Sequence, residues 1–317
     1  MSLTTKMSFF ENGLRAKVMS TELIIEANLP KKVLFEALEL TQTFEANYSA
    51  YKESSLVGQI NALAGVRPLQ CSPDELDIFI QAKEIAQKSN GVFDPTIGVL
   101  SQGLYGFGKE KRKIPSKKEL QEKKELVNYK DIIITDDSIM LAKKGMMLDL
   151  GAIGKGYIAD KIYSFLETKG ASKILINVGG EILTKGKLYR VAIKNPFTEG
   201  NTAVVVTTKE PMTLSTSGDY ERFISSQKNH HILDNITASQ NHYYTSITLL
   251  KNTRDATMLD AVATIAFNTK ERELELLAQE FGVAIIAIKD TKEIYFKNFT
   301  NVNIKNLEMY PFTKGVI

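Results

Sequence analysis

Apolar and polar positions alternate through LRAKVMSTELIIEAN, and the stretch from about Ala16 to Ala27 reads as one β-strand. The period then lengthens. In KKVLFEALELTQTFEANYSAY, Leu34, Leu38, Thr41 and Glu45 fall on one line with Val33, Ala37 and Phe44 beside it, the pattern of a helix with one apolar face. SSLVGQINALAG predicts a second helix that stops at Gly65. SPDELDIFIQAKEIAQKSNG carries a full start signal, with Ser72 as cap, Pro73 at the first helical position and Glu75 completing a capping box, and it ends at Gly91. Then the texture changes. VFDPTIGVL and GLYGFGK are rich in glycine and turn residues, and DIIIT, SIMLA and MMLDL predict a meander of three short strands.

Farther on, KGYIADKIYSFLETKG shows the stripe Ile158, Ile162, Phe165, Leu166 of a helix. KILINVGGEIL is a strand broken at Gly179 and Gly180. YRVAIK, AVVVTT, MTLSTSG and YYTSITLL continue as strands, DATMLDAVATIAFN and KERELELLAQEFG as helices, and VAIIAIKD with EIYFKN as a closing hairpin. Helices mixed with mostly antiparallel strands predict an α+β protein of one or two lobes. There is no internal repeat or low-complexity tract.

Composition narrows the function classes without choosing among them. The chain of 317 residues is 43% hydrophobic and 24% charged, the balance of a soluble globular protein with a substantial core. A net charge of +3 is too small to argue for nucleic acid. The lysine cluster between Gly108 and Lys124 lacks interleaved aromatics and reads as a solvated surface excursion, so no nucleic-acid partner is expected. A single cysteine, Cys71, forms neither an intrachain disulfide nor a thiolate metal site. No stretch reaches the ~18 apolar residues of a membrane span. The opening MSLTTKMSFFENGLRAK has no signal-type apolar core, so residues 1–14 are expected to be a leader or an expression-derived segment, and 15–317 one domain.

Four stretches carry candidate chemistry. LDLGAIGKGYIAD, Leu148 to Asp160, sets three glycines and a lysine between an apolar run and a helix. It is not a Walker loop, because the glycine spacing is two residues short and Gly156 stands where a hydroxyl should hold magnesium. A tight turn, a helix N-terminus with free amides and Lys155 still suit a phosphate, and they equally suit a plain strand-to-helix turn. In DATMLDAVATIAF, Asp260 and Thr264 share one face of an otherwise apolar helix. A hard cation would explain two oxygens there. On spacing alone the structural account is stronger, with Asp255 capping the helix and Asp260 bonding a backbone amide. SGDYERF is followed by HHILD, which holds two of the three histidines; in a strand one would face inward and could accept a proton, although a surface pair is commoner. Finally, GVFDPTIGVL is either a loop joint or a backbone surface for a flat ligand.

Taken in order, GVFDPTIGVL with YGFG, LDLGAIGKGYIAD, INVGGEI, TSGDYERF, HILD and DATMLDAVATIAF resemble the ApbE family of FAD:protein FMN transferases, from about Val18 to Ile288. The resemblance implies a two-lobed, T-fold-like α+β architecture with mostly antiparallel sheets flanked by helices. It also implies Mg²⁺-dependent transfer of FMN from FAD to a threonine or serine of an acceptor flavoprotein, with release of AMP. Some members instead hydrolyse FAD to FMN and AMP, and a non-catalytic FAD-binding role is the third alternative. Matched motifs imply FAD contacts at Met19, Tyr51, Val92, Phe93, Asp94, Asp149, Lys155 and Leu233, magnesium ligands at the carbonyl of Ala152 and at Asp260 and Thr264, and a histidine needed for transfer at His231. Either His231 or Asp260 would help deprotonate the acceptor hydroxyl. The family habit implies export and often a lipid anchor, which this sequence does not display. Two departures stand out. Ser20 replaces the glycine of a Met-Gly-Thr motif. After HILD, NITASQNHY keeps Thr237 but lacks two prolines and a glycine, so this loop is expected to differ in shape and to be more mobile.

Overall fold

A computed structural model describes residues 6–312. Residues 1–5 of the expected leader and 313–317 of the expected domain lie outside the described residues. In chain order the strands are β1 (Met7–Phe10), β2 (Gly13–Val18), β3 (Thr21–Ala27), β4 (Leu69–Gln70), β5 (Ile132–Ile134), β6 (Ser138–Leu141), β7 (Ile174–Val178), β8 (Glu181–Lys185), β9 (Tyr189–Lys194), β10 (Thr202–Thr208), β11 (Met212–Gly218), β12 (Phe223–Ile224), β13 (Ser226–His230), β14 (Ser246–Lys251), β15 (Ala284–Ile288), β16 (Ile294–Lys297) and β17 (Asn306–Met309). The helices are α1 (Lys31–Tyr48), α2 (Leu56–Ala62), α3 (Pro73–Lys88), α4 (Gly98–Ser101), α5 (Lys117–Lys124), α6 (Gly154–Thr168), α7 (Ala256–Phe267) and α8 (Glu271–Phe281). The chain divides into two compact units. One comprises residues up to Gln42, Lys155–Tyr220 and Tyr243 onward; the other comprises Thr43–Gly154 and Glu221–His242.

The first unit is built on a nine-stranded sheet in the order β1-β2-β3-β7-β8-β11-β14-β15-β16, antiparallel throughout. Strand alternation gives it two distinct faces. On one, Met212, Leu214, Leu250, Ile286 and Ile288 pack with Val191, Ile193, Val204 and Val206 of a second sheet, β17-β10-β9. On the other, α7 packs on β8, β11 and β14. Residues Thr213 and Ser215, out of phase with Leu214, therefore face α7, as do Glu181 and Leu183 on either side of Ile182. Of the expected leader segment, Met7–Phe10 form β1 and are laddered to β2.

The single strand expected over 16–27 is two strands. Val18 pairs with Thr21, and Met19 and Ser20 between them take φ of 54° and 60°, the left-handed pair of a two-residue type I′ hairpin turn. The apolar alternation runs on through the turn, which hid the break. Neither residue is the glycine, asparagine or aspartate such a turn prefers. The β7–β8 connection uses the same geometry with suitable residues, Gly179 and Gly180 at φ 59° and 103°.

In the second unit, Ser72 and Glu75 form the expected capping box of α3, and Gly91 follows at φ 81°. The meander is only partly realised. β5 and β6 pair, but β6 takes β4 as its other neighbour and MMLDL forms no strand. Its backbone is satisfied otherwise: the Asn61 side chain accepts from Leu148 N at 2.7 Å and donates to Leu148 O at 3.2 Å, and Asp149 N donates to Pro95 O at 2.8 Å. At Leu148 a side-chain amide has taken the role of a neighbouring strand, while Met147 keeps one isolated parallel bridge to Ile97. Among the described residues no helix is long and apolar enough to cross a membrane.

Non-glycine residues in the left-handed region carry a penalty of about 1 kcal/mol. Ser20→Gly is expected to stabilise the protein by about 0.5–1 kcal/mol, read as a higher urea midpoint at unchanged slope; an unchanged or lower midpoint would refute the strain assigned to this turn.

Candidate active site

In the first unit the centre of the candidate site is the crossing of α6 and α7. Asp160 on α6 accepts from the backbone amides of Ala256 and Thr257 at 3.1 and 2.8 Å and from Thr257 Oγ1 at 2.7 Å, so α6 caps α7. Asp255, expected as the cap, makes no capping bond and instead meets Lys251 Nζ at 2.8 Å. At Gly156 the two helices touch: a Cβ there would stand 2.0 Å from Ala256 O and 2.9 Å from Asp260 Cβ. This contact explains why glycine stands where a Walker loop has a hydroxyl.

The approach brings Asp260 onto the first turn of α6. Its Oδ2 accepts from Gly156 N at 3.0 Å, and its Oδ1 accepts from Lys155 Nζ at 2.8 Å. Lys155 reaches a second carboxylate, Glu181 Oε1, at 2.9 Å. Burial opposes the Lys155 charge, but Asp260 and Glu181 outweigh it and raise its pKa. Glu181 is fully buried. Burial, reinforced by Asp260 and opposed by Lys155, raises its pKa. Glu181 Oε2 and Ser215 Oγ are both buried and have no hydrogen-bond partner among the described residues. The serine hydroxyl lies beside the carboxyl and favours its ionised form, yet outside hydrogen-bond geometry. Thr264 is half-buried one turn along α7 from Asp260. Met19 belongs to the β2–β3 turn rather than to this cluster. Asp219, in the SGDY stretch, keeps Oδ1 buried with no hydrogen-bond partner among the described residues, and burial pushes its carboxyl up to about 7.

In the second unit three aspartates organise turns. Asp94 accepts from Thr96 N, Thr96 Oγ1 and Tyr129 N at 2.8, 2.6 and 2.8 Å, beside half-buried Val92 and buried Phe93. Burial raises its pKa, opposed by those bonds. Asp149 accepts from Ser101 Oγ at 2.6 Å and Gly151 N at 2.8 Å. The amides of Ile153 and Gly154 donate to Leu150 O. Amides expected to be free for a phosphate are thus engaged within the protein at 151, 153 and 154, in a turn where Ala152 is half-buried. The Tyr51 ring lies against Gly108, where a Cβ would come within 2.3 Å of it; burial, with Asp149 adding, pushes its phenol up to about 12.

The histidines divide as alternation suggests, one buried and one half-exposed, although only His230 lies in the strand. His230 ends β13 and is fully buried, with Nε2 3.0 Å from Asn241 O. His231 lies just beyond the strand: its backbone amide and ring Nδ1 both meet Arg222 O, at 3.0 and 3.1 Å, and its ring sits edge-on to Phe107. A carbonyl only accepts, so Nδ1 carries the proton and Nε2 is the basic nitrogen. Leu233 is buried with Leu100, Tyr105, Phe107 and Ala238.

The 235–243 loop, expected to be looser without its prolines, is tied down by side chains. Asp234 accepts from Ile236 N, Thr237 N and Asn241 Nδ2 at 2.7, 3.3 and 2.9 Å, and Asn235 Nδ2 donates to Val92 O at 2.9 Å. Asp and Asn amide-type contacts supply what rigid prolines would. Sequence reasoning passed over Glu181, Asp160 and Ser215. The VGGE turn was the available signal for Glu181, since a type I′ turn fixes which face the next residue takes. Among the described residues no group of three His, Cys, Asp or Glu side chains is placed to hold a metal.

Comparison with known proteins gives one result throughout. A model of the ApbE family matches residues 15–287. The FAD:protein FMN transferase of Treponema pallidum (strain Nichols) is 28% identical over 284 residues, 82% of this chain and 78% of that protein. That of Escherichia coli (strain K12) is 28% identical over 280 residues, 84% and 72% respectively. The solved ApbE protein of Thermotoga maritima superposes with a TM-score of 0.83 at 25% identity, covering 91% of this chain and 97% of that one. The flavin transferase ApbE from Vibrio cholerae gives 0.78 at 22% identity, covering 93% and 98%, which bears on the fold.

Two outcomes follow from the geometry. Gly156→Ala must force α6 and α7 apart and is expected to lower stability by about 1–3 kcal/mol in urea unfolding, and a neutral effect would refute the crossing. Burial holds His230 at about 4, with His242 edge-on at 5.3 Å adding to the shift. An unfolded histidine titrates near 6.5, so the unfolded chain takes up the proton first. The stability is complete above that pH and is lost as pH falls toward 4. His230→Gln should flatten this acid limb by roughly 1–3 kcal/mol; parallel limbs in the two proteins would refute it.

Proposed function

The chain belongs to the ApbE family, and from that premise we propose that it transfers FMN from FAD to a threonine or serine hydroxyl of an acceptor flavoprotein, with Mg²⁺ at the pyrophosphate and AMP as leaving group. The observation that carries the reading is the Lys155–Asp260 pair on the first turn of α6, with Thr264 one turn farther along α7. The residues fit a hard divalent cation. Asp260 and Thr264 offer a carboxylate and a hydroxyl, the hard oxygen donors that such a cation takes.

In this reading Asp260, Thr264 and the Ala152 carbonyl would hold Mg²⁺, and Lys155 would add a fixed positive charge for the phosphates. Magnesium, when bound, neutralises charge that develops on the pyrophosphate. Met19, Tyr51, Leu233 and the Val92–Phe93–Asp94 turn supply FAD contacts. Since the Asp94 carboxylate serves its own turn, that turn presents backbone and the Val92 side chain. Asp149 acts in the same way through the turn it ties. His231, protonated on Nδ1, uses Nε2 to take the acceptor proton. The hydroxyl oxygen bonds to the phosphorus of the FMN half, the P–O bond to the AMP half breaks, and AMP leaves with the bridging oxygen.

The test follows AMP, FMN and acceptor mass together in the presence of FAD, with and without Mg²⁺ and an acceptor domain. AMP release that requires the acceptor and adds the mass of FMN to it is expected. AMP and FMN produced without an acceptor would make the protein an FAD pyrophosphatase, and bound FAD without products would make it a carrier. Asp260→Ala leaves Lys155 paired with Glu181, so the fold should persist while turnover falls by about 10²–10³-fold. Turnover near that of the unaltered protein would show that Asp260 is not the metal ligand.

A further inference from the structure

Glu181 completes the cluster at the α6–α7 crossing but has no part in the chemistry proposed above. Its placement is specific. The Gly179–Gly180 turn pairs Val178 with Glu181, and alternation along β8 turns the Glu181 side chain to the face on which α7 lies. The β8–β11 register pairs Leu183 with Thr213 and Ile182 with Leu214, and its next step brings Ser215 opposite Glu181. The carboxyl is fully buried and meets Lys155 Nζ at 2.9 Å through one oxygen, while the other oxygen is buried with no hydrogen-bond partner among the described residues. A core position next to Leu183 would be satisfied more easily by an apolar residue, because a buried carboxylate is tolerated only when it is compensated.

Lys155 stands between two carboxylates, and only one of them, Asp260, lies on α7 beside Thr264. If Asp260 were its sole partner, a cation binding there would have to break the ion pair and leave a half-buried ammonium unpaired. Glu181 removes that conflict. We infer that Glu181 is a positioning residue that holds the Lys155 ammonium and thereby leaves the Asp260 carboxylate available to a divalent cation; this rests on the transferase reading above. Replacing the carboxylate by its isosteric amide keeps an oxygen acceptor and the packing but removes the competing charge. The Lys155–Asp260 pair tightens, and a cation must then displace it.

The experiment uses the full chain and reads FAD fluorescence during Mg²⁺ titration, together with kcat at saturating Mg²⁺ and FAD and melting without ligands. Glu181→Gln is expected to melt within a few degrees of the unaltered protein and to keep kcat within about threefold, while the Mg²⁺ needed for half-maximal FAD binding rises about tenfold, the usual size of losses from altered support of a metal ligand. An unchanged Mg²⁺ requirement would overturn the inference, as would a fall in kcat at saturation without a change in requirement. Should Glu181→Gln not fold, Glu181→Asp, which withdraws the carboxylate from the ammonium, is read by the same criteria. If neither folds, Glu181 is a structural residue and the inference fails. Absence of Mg²⁺-dependent FAD binding by the unaltered chain would overturn the transferase reading and this inference together, whereas a normal Mg²⁺ requirement in the variant would overturn the inference alone.

Discussion

The close crossing of α6 and α7 at Gly156 is the constraint on which the first unit's chemistry depends. Only a residue without a Cβ lets the Ala256 carbonyl approach so near, and only that approach lets Asp260 accept from both a backbone amide and the neighbouring lysine. Asp160 then secures α7 by its first two amides. A charged pair in such a setting would be a liability if its members could move, since the attraction offsets desolvation only in good geometry. Here helix packing fixes that geometry before any ligand is considered.

The second unit solves a different problem with the same residue type. Asp94 and Asp234 each gather two backbone amides from their own or a neighbouring loop, and Asp149 takes one together with the Ser101 hydroxyl. Irregular segments cannot satisfy their amides by laddering, and a carboxylate with two accepting oxygens does so compactly. The outcome is a set of shaped turns made without regular structure. The 235–243 loop shows how far this goes: Asp234, Asn235 and Asn241 hold by hydrogen bonding a segment that lacks the expected prolines.

What the sequence made legible was local. The capping box of α3, the α7 helix with Asp260 and Thr264 on one face, and the glycine break after Val178 follow from spacing and from the preferences of single residues. The β2–β3 turn escaped because Met19 and Ser20 are poor turn formers and the apolar alternation does not stop there. The apolar content of MMLDL is strand-like, whereas Leu148 is bonded at both backbone groups by the side chain of Asn61, 87 positions away, and Asp149 N by Pro95 O. Lys155 and Asp260 were identified through the order of motifs; their contact, across 105 positions, is a tertiary fact. Glu181 lies inside the INVGGEI motif, but nothing local distinguishes a buried glutamate from a solvated one.

The β3–β7 ladder has a consequence for synthesis. It joins Leu23 to Val178 and Ala27 to Ile174, and the whole 43–154 segment of the second unit lies between them in the chain. During translation β3 therefore leaves the ribosome with β2 on one side and no partner for the other until that segment has been made. The exposed edge is a template for pairing with another nascent chain, and closing so long a loop is slow. The inserted unit can assemble most of its core meanwhile, but it too waits for 221–242, which follow only after β7 to β11. Neither unit is finished until the ribosome has passed residue 242, so this fold is completed late and nearly all at once.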